Sequence, residues 1–327
     1  MKILITGGLG FIGSHLVSTL SNHHTIDIID NFNEVYPGYK YIHRGKQGLQ
    51  KVGSIEQKHR QQALKYRLSL IKGNFKKLYR QWTYEMSDKF KENKYDLIIN
   101  CGSLCEAVLS QYFKCFTQHT IVSGLKNIKT WFPDTPCLHI SSSMVYGTWE
   151  DLIDEQYSLG SVDLYGSCKI EAEKALSKTD VCLRPIHVYG MGDGKFPIWM
   201  NIERQIAKNK PVLVERAGCI YIKDFILSVK NIIDKWTPGA YNISYDFTRN
   251  AEAIKAVYPI SFETQDKLGP TGKKRGLLLS NKLRETFNFD YEFRDYKSTI
   301  KDYYEQYEKY ETKTQKYWGK NNDYLRS

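Results

Sequence analysis

Three glycines near the N-terminus, Gly7, Gly10 and Gly13 in MKILITGGLGFIGSHLV, constrain the fold more than any other feature of this 327-residue chain. They follow an apolar run, Lys2 to Thr6, that reads as a buried parallel strand. They also open a stretch in which Phe11, Ile12, Leu16, Val17 and Leu20 recur at helical spacing. A strand, a glycine turn and a helix in that order bring backbone N–H groups and the positive end of a helix to one point, which suits a pyrophosphate. A second strand, Thr25 to Ile29, ends at Asp30, where a carboxylate can bind the hydroxyls of an adenosine ribose and repels the extra phosphate of NADP. The pattern points to NAD.

The remainder alternates strands with helices, the mark of a doubly wound parallel sheet. The spacing predicts strands at Leu68 to Lys72, Tyr95 to Asn100, Cys137 to Ser141 and Asp180 to Arg184. It predicts helices at Lys76 to Phe90, Thr117 to Trp131 and Leu164 to Ser177. We therefore expect an α/β, Rossmann-like NAD-binding domain over 1–190 and a smaller mixed α/β substrate-binding lobe over 191–327. The second lobe is punctuated by glycines and prolines and ends in a helix carrying a tyrosine stripe over 297–316.

Charge is unevenly placed. Between Lys40 and Lys94 fifteen Lys and Arg face four acids, an excess equal to the whole net charge of +11. This basic insertion, about 33–66 with its flank, reads as a long loop with a solvated face that steers an anionic substrate. It carries no nucleic-acid-binding signature, which argues against a nucleic-acid partner. No run of about 18 apolar residues occurs, which argues against a membrane span, and the chain opens directly on a core strand, so a cytoplasmic protein is expected. Seven scattered cysteines have no paired metal spacing and read as reduced thiols, with no metal site.

The chemistry concentrates further along. Ser141, Ser142 and Ser143 follow an apolar strand, and Tyr165 and Lys169 lie four apart on a predicted helix, hence on one face. An ammonium there can stabilise a phenolate and draw the tyrosine pKa down from its usual value of about 10. A tyrosine so tuned is a general base for a sugar hydroxyl.

These segments resemble the extended short-chain dehydrogenase/reductases that act on nucleotide sugars, the NAD-dependent epimerase/dehydratase family. TGGLGFIG is similar to its TGxxGxxG turn, IIDN to its acid-ended strand, SSSMVYG to SSxxVYG, YGSCK to YxxxK, and LRPIHVYGMGD to RPxxVYGPGD. The resemblance implies that Gly7, Gly10, Gly13 and the Phe11 and Ile12 amides hold the pyrophosphate, Asp30 and Asn31 the ribose, and that Asn74 lies beside the adenine. It implies catalysis by Ser142, Tyr165 and Lys169, with Tyr165 and Lys169 also contacting the cofactor. Ser142 and Ser143 would touch the sugar, and Arg216 or Arg275 would take the nucleotide diphosphate. It further implies a homodimer, formed through helices near 118–131 and 164–177.

Within that family, Ser143 and Met144 stand where dehydratases carry an Asp-Glu pair, so an epimerase that oxidises and re-reduces a sugar hydroxyl, commonly at C4, is favoured. DNFNEVYP is similar to the corresponding segment of UDP-glucuronate 4-epimerases. RGLLLSNKL resembles the tail of dTDP-4-dehydrorhamnose reductases and keeps a keto-sugar reductase or dehydrogenase open. An alternative of another class is a non-catalytic NAD-binding scaffold that uses the basic segment for interaction. Two departures stand out: Ile121 replaces an active-site-supporting Asn, and NCGS, Asn100 to Ser103, replaces HLAA.

Overall fold

The computed structural model describes residues 1–31, 41–43, 49–51, 54–86, 90, 92–105, 107–149, 152–194, 213–216, 218–245, 263–266, 278–289, 298–299, 301–303 and 305–306. Its strands, in chain order, begin with β1 (Lys2–Thr6), β2 (Thr25–Ile29), β3 (Tyr41–His43), β4 (Leu49–Lys51), β5 (Lys77–Tyr79), β6 (Leu97–Asn100) and β7 (Cys137–Ile140). They continue with β8 (Val181–Pro185), β9 (His187–Tyr189), β10 (Leu213–Arg216), β11 (Cys219–Tyr221), β12 (Gly239–Ile243) and β13 (Glu263–Asp266). The α-helices are α1 (Phe11–Leu20), α2 (Ser54–Ile71), α3 (Ala107–Tyr112), α4 (Lys114–Gln118), α5 (Gly124–Trp131), α6 (Leu164–Glu173), α7 (Ile222–Asp234) and α8 (Asn281–Phe287).

Seven strands form one parallel, Rossmann-like sheet in the order β12-β8-β7-β6-β1-β2-β5. Its central strands are apolar on both faces because helices cover both. Ile3, Ile5, Leu138 and Ile140 pack toward Leu16 and Val17 of α1 and Phe225 and Val229 of α7. Leu4, Ile98 and Cys137 pack toward Leu125 and Ile128 of α5 and Cys168 and Ala172 of α6. The winding reverses between β1, which is followed by β2 on one side, and β6 on the other, so a crevice opens beyond the carboxyl ends of β1 and β6. Small sheets, β9 with β11 and β10 with β13, complete the α/β architecture beside the main one. Among the described residues no helix is long and apolar enough to cross a membrane.

The stretch after β2 departs from expectation. Leu68 to Ile71 is the end of α2 rather than a strand, and the predicted helix from Lys76 instead begins as β5, followed by a 3-10 turn, Thr83–Glu85. The long loop gives way, from Ser54 onward, to a helix packed on α1. Its arginines are not all on a solvated face, because Arg60 and Arg67 are buried alongside Tyr66. Beyond residue 190, β12 returns to the main sheet as its seventh strand, edge to edge with β8. Of the tyrosine stripe, Tyr303 is buried, whereas Tyr304, Tyr307 and Tyr310 fall outside the described residues.

Candidate active site

The glycine turn sits at the mouth of the crevice. Gly7 leaves β1 at φ +66°, a conformation that favours glycine, and lies so close to the chain after β6 that a Cβ would stand 2.7 Å from Gly102 Cα. A Cβ on Gly13 would fall 2.1 Å from the Gly7 oxygen, so only glycine lets the first turn of α1 close onto the loop. Gly10 is the N-cap in extended conformation; no side chain caps the helix, and no acid lies in its first turn. The N-terminus that Phe11 and Ile12 begin thus keeps its partial positive charge for an anion from outside.

Asp30 stands at the end of β2, where it accepts the Leu9 N–H at 2.9 Å. One carboxylate oxygen therefore braces the glycine turn itself. Asn31 follows it, and its Nδ2 is buried with no hydrogen-bond partner among the described residues. Gln81 occupies the matching place beyond β5, two residues after Tyr79, which pairs with Ile29, and its Nε2 is likewise buried without a partner. Two orphaned amide donors at equivalent positions on adjacent strands suit a polar ligand lying across their ends. Gln81 has no signal in the sequence because the strand expected at Leu68 to Lys72 begins nine residues before β5.

The same shift moves Asn74 away from the expected site. It lies in the turn from α2 into β5, at the opposite edge of the sheet, and its amide donates to Leu70 O at 2.6 Å. Next to it, Lys76 N–H meets Ile26 O near the start of β2. Asn74 cannot reach an adenine beyond the carboxyl ends.

Ser142, Tyr165 and Lys169 converge on the other side of the crevice. Asp163 caps α6 by accepting the Gly166 N–H at 2.8 Å, which fixes the first turn where Tyr165 lies. Ser142, in extended conformation after β7, starts a 3-10 turn by accepting Met144 N–H at 3.2 Å, and its hydroxyl is near enough to the Tyr165 phenol to favour the phenolate. The Lys169 ammonium lies 5.8 Å from the Tyr165 ring centre and donates to Ile140 O at 2.9 Å and to Ser103 Oγ at 3.2 Å. Ser103 belongs to the NCGS segment that stands in place of HLAA, and its contact with Lys169 has no signal in the sequence. Ser143 is buried in the 3-10 turn, and Ser141 donates to Glu173 at 2.5 Å, away from the trio.

The electrostatics correct one expectation. Burial pushes the Tyr165 phenol well above its usual range, nearby Cys105 and Asp163 act the same way, and the Ser142 hydroxyl opposes them; Lys169 is not among the causes. Burial draws Lys169 down to about 8, against partial support from Cys105, Cys182, Cys101 and Glu173. Desolvation dominates at both groups because both side chains are buried away from water.

Behind the trio runs a polar row. Thr6, Asn100 and His139 are in register on β1, β6 and β7. Thr6 Oγ1 donates to Asn100 Oδ1 at 2.6 Å and accepts Gly102 N–H at 3.2 Å, and Asn100 Nδ2 lies 3.0 Å from His139 Nδ1. Ile121 is simply core, in a π-helical turn, His119–Ser123, while the preceding Thr120 receives Leu104 N–H at 3.4 Å. Arg216 ends β10, a strand outside the main sheet that pairs with β13, and Arg275 lies outside the described residues.

Residues 3–244 match the NAD dependent epimerase/dehydratase family. The chain belongs to that family. Among solved structures it is similar to UDP-glucuronic acid 4-epimerase from Bacillus cereus in complex with NAD, with a TM-score of 0.71 at 17% identity over 96% of this chain and 99% of that one. It is also similar to UDP-N-acetylglucosamine 4-epimerase from Methanobrevibacter ruminantium M1, with a TM-score of 0.70 at 17% identity over 94% and 98% of the two chains. A hypothetical dTDP-4-dehydrorhamnose reductase from Sulfolobus tokodaii aligns with a TM-score of 0.64 at 16% identity over 90% and 98%. These likenesses establish the Rossmann-like fold. No curated protein matches the sequence. The NAD-dependent epimerase/dehydratase fold thus sets a glycine turn and a Ser-Tyr-Lys cluster across one crevice, and its orphaned donors, uncapped helix and glycine cradle fit a dinucleotide.

Proposed function

We propose that the protein is an NAD-dependent nucleotide-sugar epimerase that oxidises a sugar hydroxyl, at C4, and re-reduces the resulting ketone on its other face. The observation that carries this reading is the convergence of Ser142, Tyr165 and Lys169 across the crevice from the Gly7–Gly13 turn. A scaffold that only binds a dinucleotide has no need of a phenol and an ammonium buried together at the sheet edge.

The α1 N-terminus and the Gly7, Gly10 and Gly13 backbone would hold the pyrophosphate, Asp30, Asn31 and Gln81 the adenosine end, and Lys169 the nicotinamide ribose. Bound there, NAD would supply the hydride acceptor and donor and a positive ring beside the phenol. Ser142 binds the reacting sugar oxygen through its hydroxyl and orients it toward Tyr165. Tyr165 takes the hydroxyl proton on the oxidative half and returns it on the reductive half. Lys169, held by Ile140 and Ser103, keeps a positive charge close to the phenol, whose burial otherwise holds it protonated. Neither Ser143 nor Met144 can remove or donate a proton beside the ketone, so elimination of water is not supported.

The test is to incubate the purified protein with UDP-, dTDP- and GDP-sugars and follow products by NMR, after assaying for retained NAD. Epimer formed without net consumption of cofactor supports the reading. Stoichiometric oxidation of added NAD(P)H identifies a reductase, and NAD binding without turnover on any sugar identifies a scaffold.

A further inference from the structure

The polar row Thr6–Asn100–His139 can be accounted for proton by proton. Thr6 has one hydroxyl proton, and it goes to Asn100 Oδ1 at 2.6 Å, while a lone pair of the same oxygen receives Gly102 N–H. That orientation leaves the Asn100 amide to donate, through Nδ2, to His139 Nδ1 at 3.0 Å. A nitrogen that accepts cannot carry the proton, so the neutral ring must carry it on Nε2. With the amide turned over, Thr6 would receive two N–H groups, and no acceptor for its own proton is found among the described residues.

His139 is 1% exposed, and burial, reinforced by the nearby Lys169 charge, holds its pKa well below the usual value, so the ring stays neutral. Its Nε2 has no hydrogen-bond partner among the described residues. The Lys169 ammonium donates to the carbonyl of the next residue, Ile140. His139 is also in register with Cys182 on β8. An unprotonated Nε2 would be an acceptor buried beside a buried cation.

We propose that Thr6 and Asn100 fix His139 as its Nε2–H tautomer, and that His139 is thereby a positioning residue for Lys169. With its proton in place Nε2 offers the ammonium no competing acceptor, and the ammonium donates to Ile140 O and Ser103 Oγ. The same row anchors Gly102, one residue before Ser103, so a single chain of hydrogen bonds sets both the loop and the lysine that meets it. The tautomer stands on the row alone; its consequence for turnover rests on the function proposed for Lys169.

The test uses the full chain labelled with 15N-histidine, with two-bond proton–nitrogen correlation spectra recorded from pH 6 to 9. Among eight histidines, His139 is the one whose signals vanish in His139→Gln or, should that variant not fold, the one identified by backbone assignment. The expected result is an Nε2–H ring that does not titrate. In Thr6→Val, which removes the hydroxyl donor, the Nδ1–H form appears and turnover falls about tenfold at unchanged KM, roughly the worth of one hydrogen bond. Thr6→Ser restores both. An Nδ1–H or titrating ring in the wild type, or a Thr6→Val ring unchanged in tautomer, overturns the proposal. Absence of turnover on every sugar with the tautomer as expected counts against the proposed function instead.

Discussion

Arg184 and Glu173 meet in a two-point ion pair, Nε to Oε1 at 3.1 Å and Nη2 to Oε2 at 2.7 Å, with both side chains less than a tenth exposed. Arg184 also donates to Tyr146 OH at 2.8 Å, and Tyr146 in turn to Asn242 Oδ1 at 2.8 Å. The pair therefore ties β8 and the 3-10 turn that follows Ser142 to the helix that carries Tyr165 and Lys169. Removing one partner leaves the other charged and buried, so Glu173→Leu should cost about 3–5 kcal/mol in urea unfolding. The double replacement Glu173→Leu with Arg184→Met should cost less than either single change. Single variants within about 1 kcal/mol of wild type would show that the pair is not structurally required.

The glycine turn separates packing from backbone strain. Gly13→Ala should destabilise by about 1–3 kcal/mol and abolish NAD retention, because its Cβ would overlap the Gly7 oxygen at 2.1 Å. Gly73 supplies the control. It also has positive φ, +79°, but a Cβ there meets nothing within 4 Å, so Gly73→Ala should cost only about 1 kcal/mol of backbone strain and leave cofactor binding unchanged. Isothermal titration with NAD and thermal unfolding of both variants distinguish the two effects.

The legible parts were those written in local patterns. Ile3 and Ile5 alternate with Leu4, Gly13 must be glycine, and Tyr165 and Lys169 share a helical face, so the sheet centre and the trio could be read directly. The third sheet strand could not. Leu68, Leu70 and Ile71 form an apolar run as short as a strand, but they belong to an 18-residue helix, and the actual strand, Lys77–Tyr79, is an edge strand with two exposed residues and little apolar signal. That one shift hid Gln81 and promoted Asn74. The row from Thr6 to His139 was invisible for another reason, since its members lie 94 and 39 residues apart and meet only through strand register.

Asp163 tests how far the helix cap controls the trio. Its carboxylate receives the Gly166 N–H, so Asp163→Ala should cost about 1 kcal/mol, whereas Asp163→Asn keeps an acceptor and should cost a few tenths. Because Tyr165 lies in the same first turn, the alanine variant should also lose turnover more than the asparagine variant. Thermal unfolding and rate measurements on the same preparations check both. Equal stability of the two variants would mean that the cap contributes nothing.

Lys169 makes the stability of the protein without cofactor depend on pH in a definite direction. Burial lowers its pKa to about 8 from 10.5, so below pH 8 the folded state carries the full cost of a buried ammonium. Between pH 8 and 10.5 the folded lysine has lost its proton while the unfolded one keeps it. The unfolded state then binds more protons, and stability rises with pH. Lys169→Met removes this dependence but also the hydrogen bonds to Ile140 and Ser103. Wild type should therefore gain stability relative to Lys169→Met on going from pH 7 to pH 10, and the Tyr165 contribution, common to both proteins, largely cancels from the difference. Urea midpoints of the pair at several pH values give the comparison. A difference that stays constant, or that moves against wild type, would show that the ammonium is not held at a cost in the folded protein.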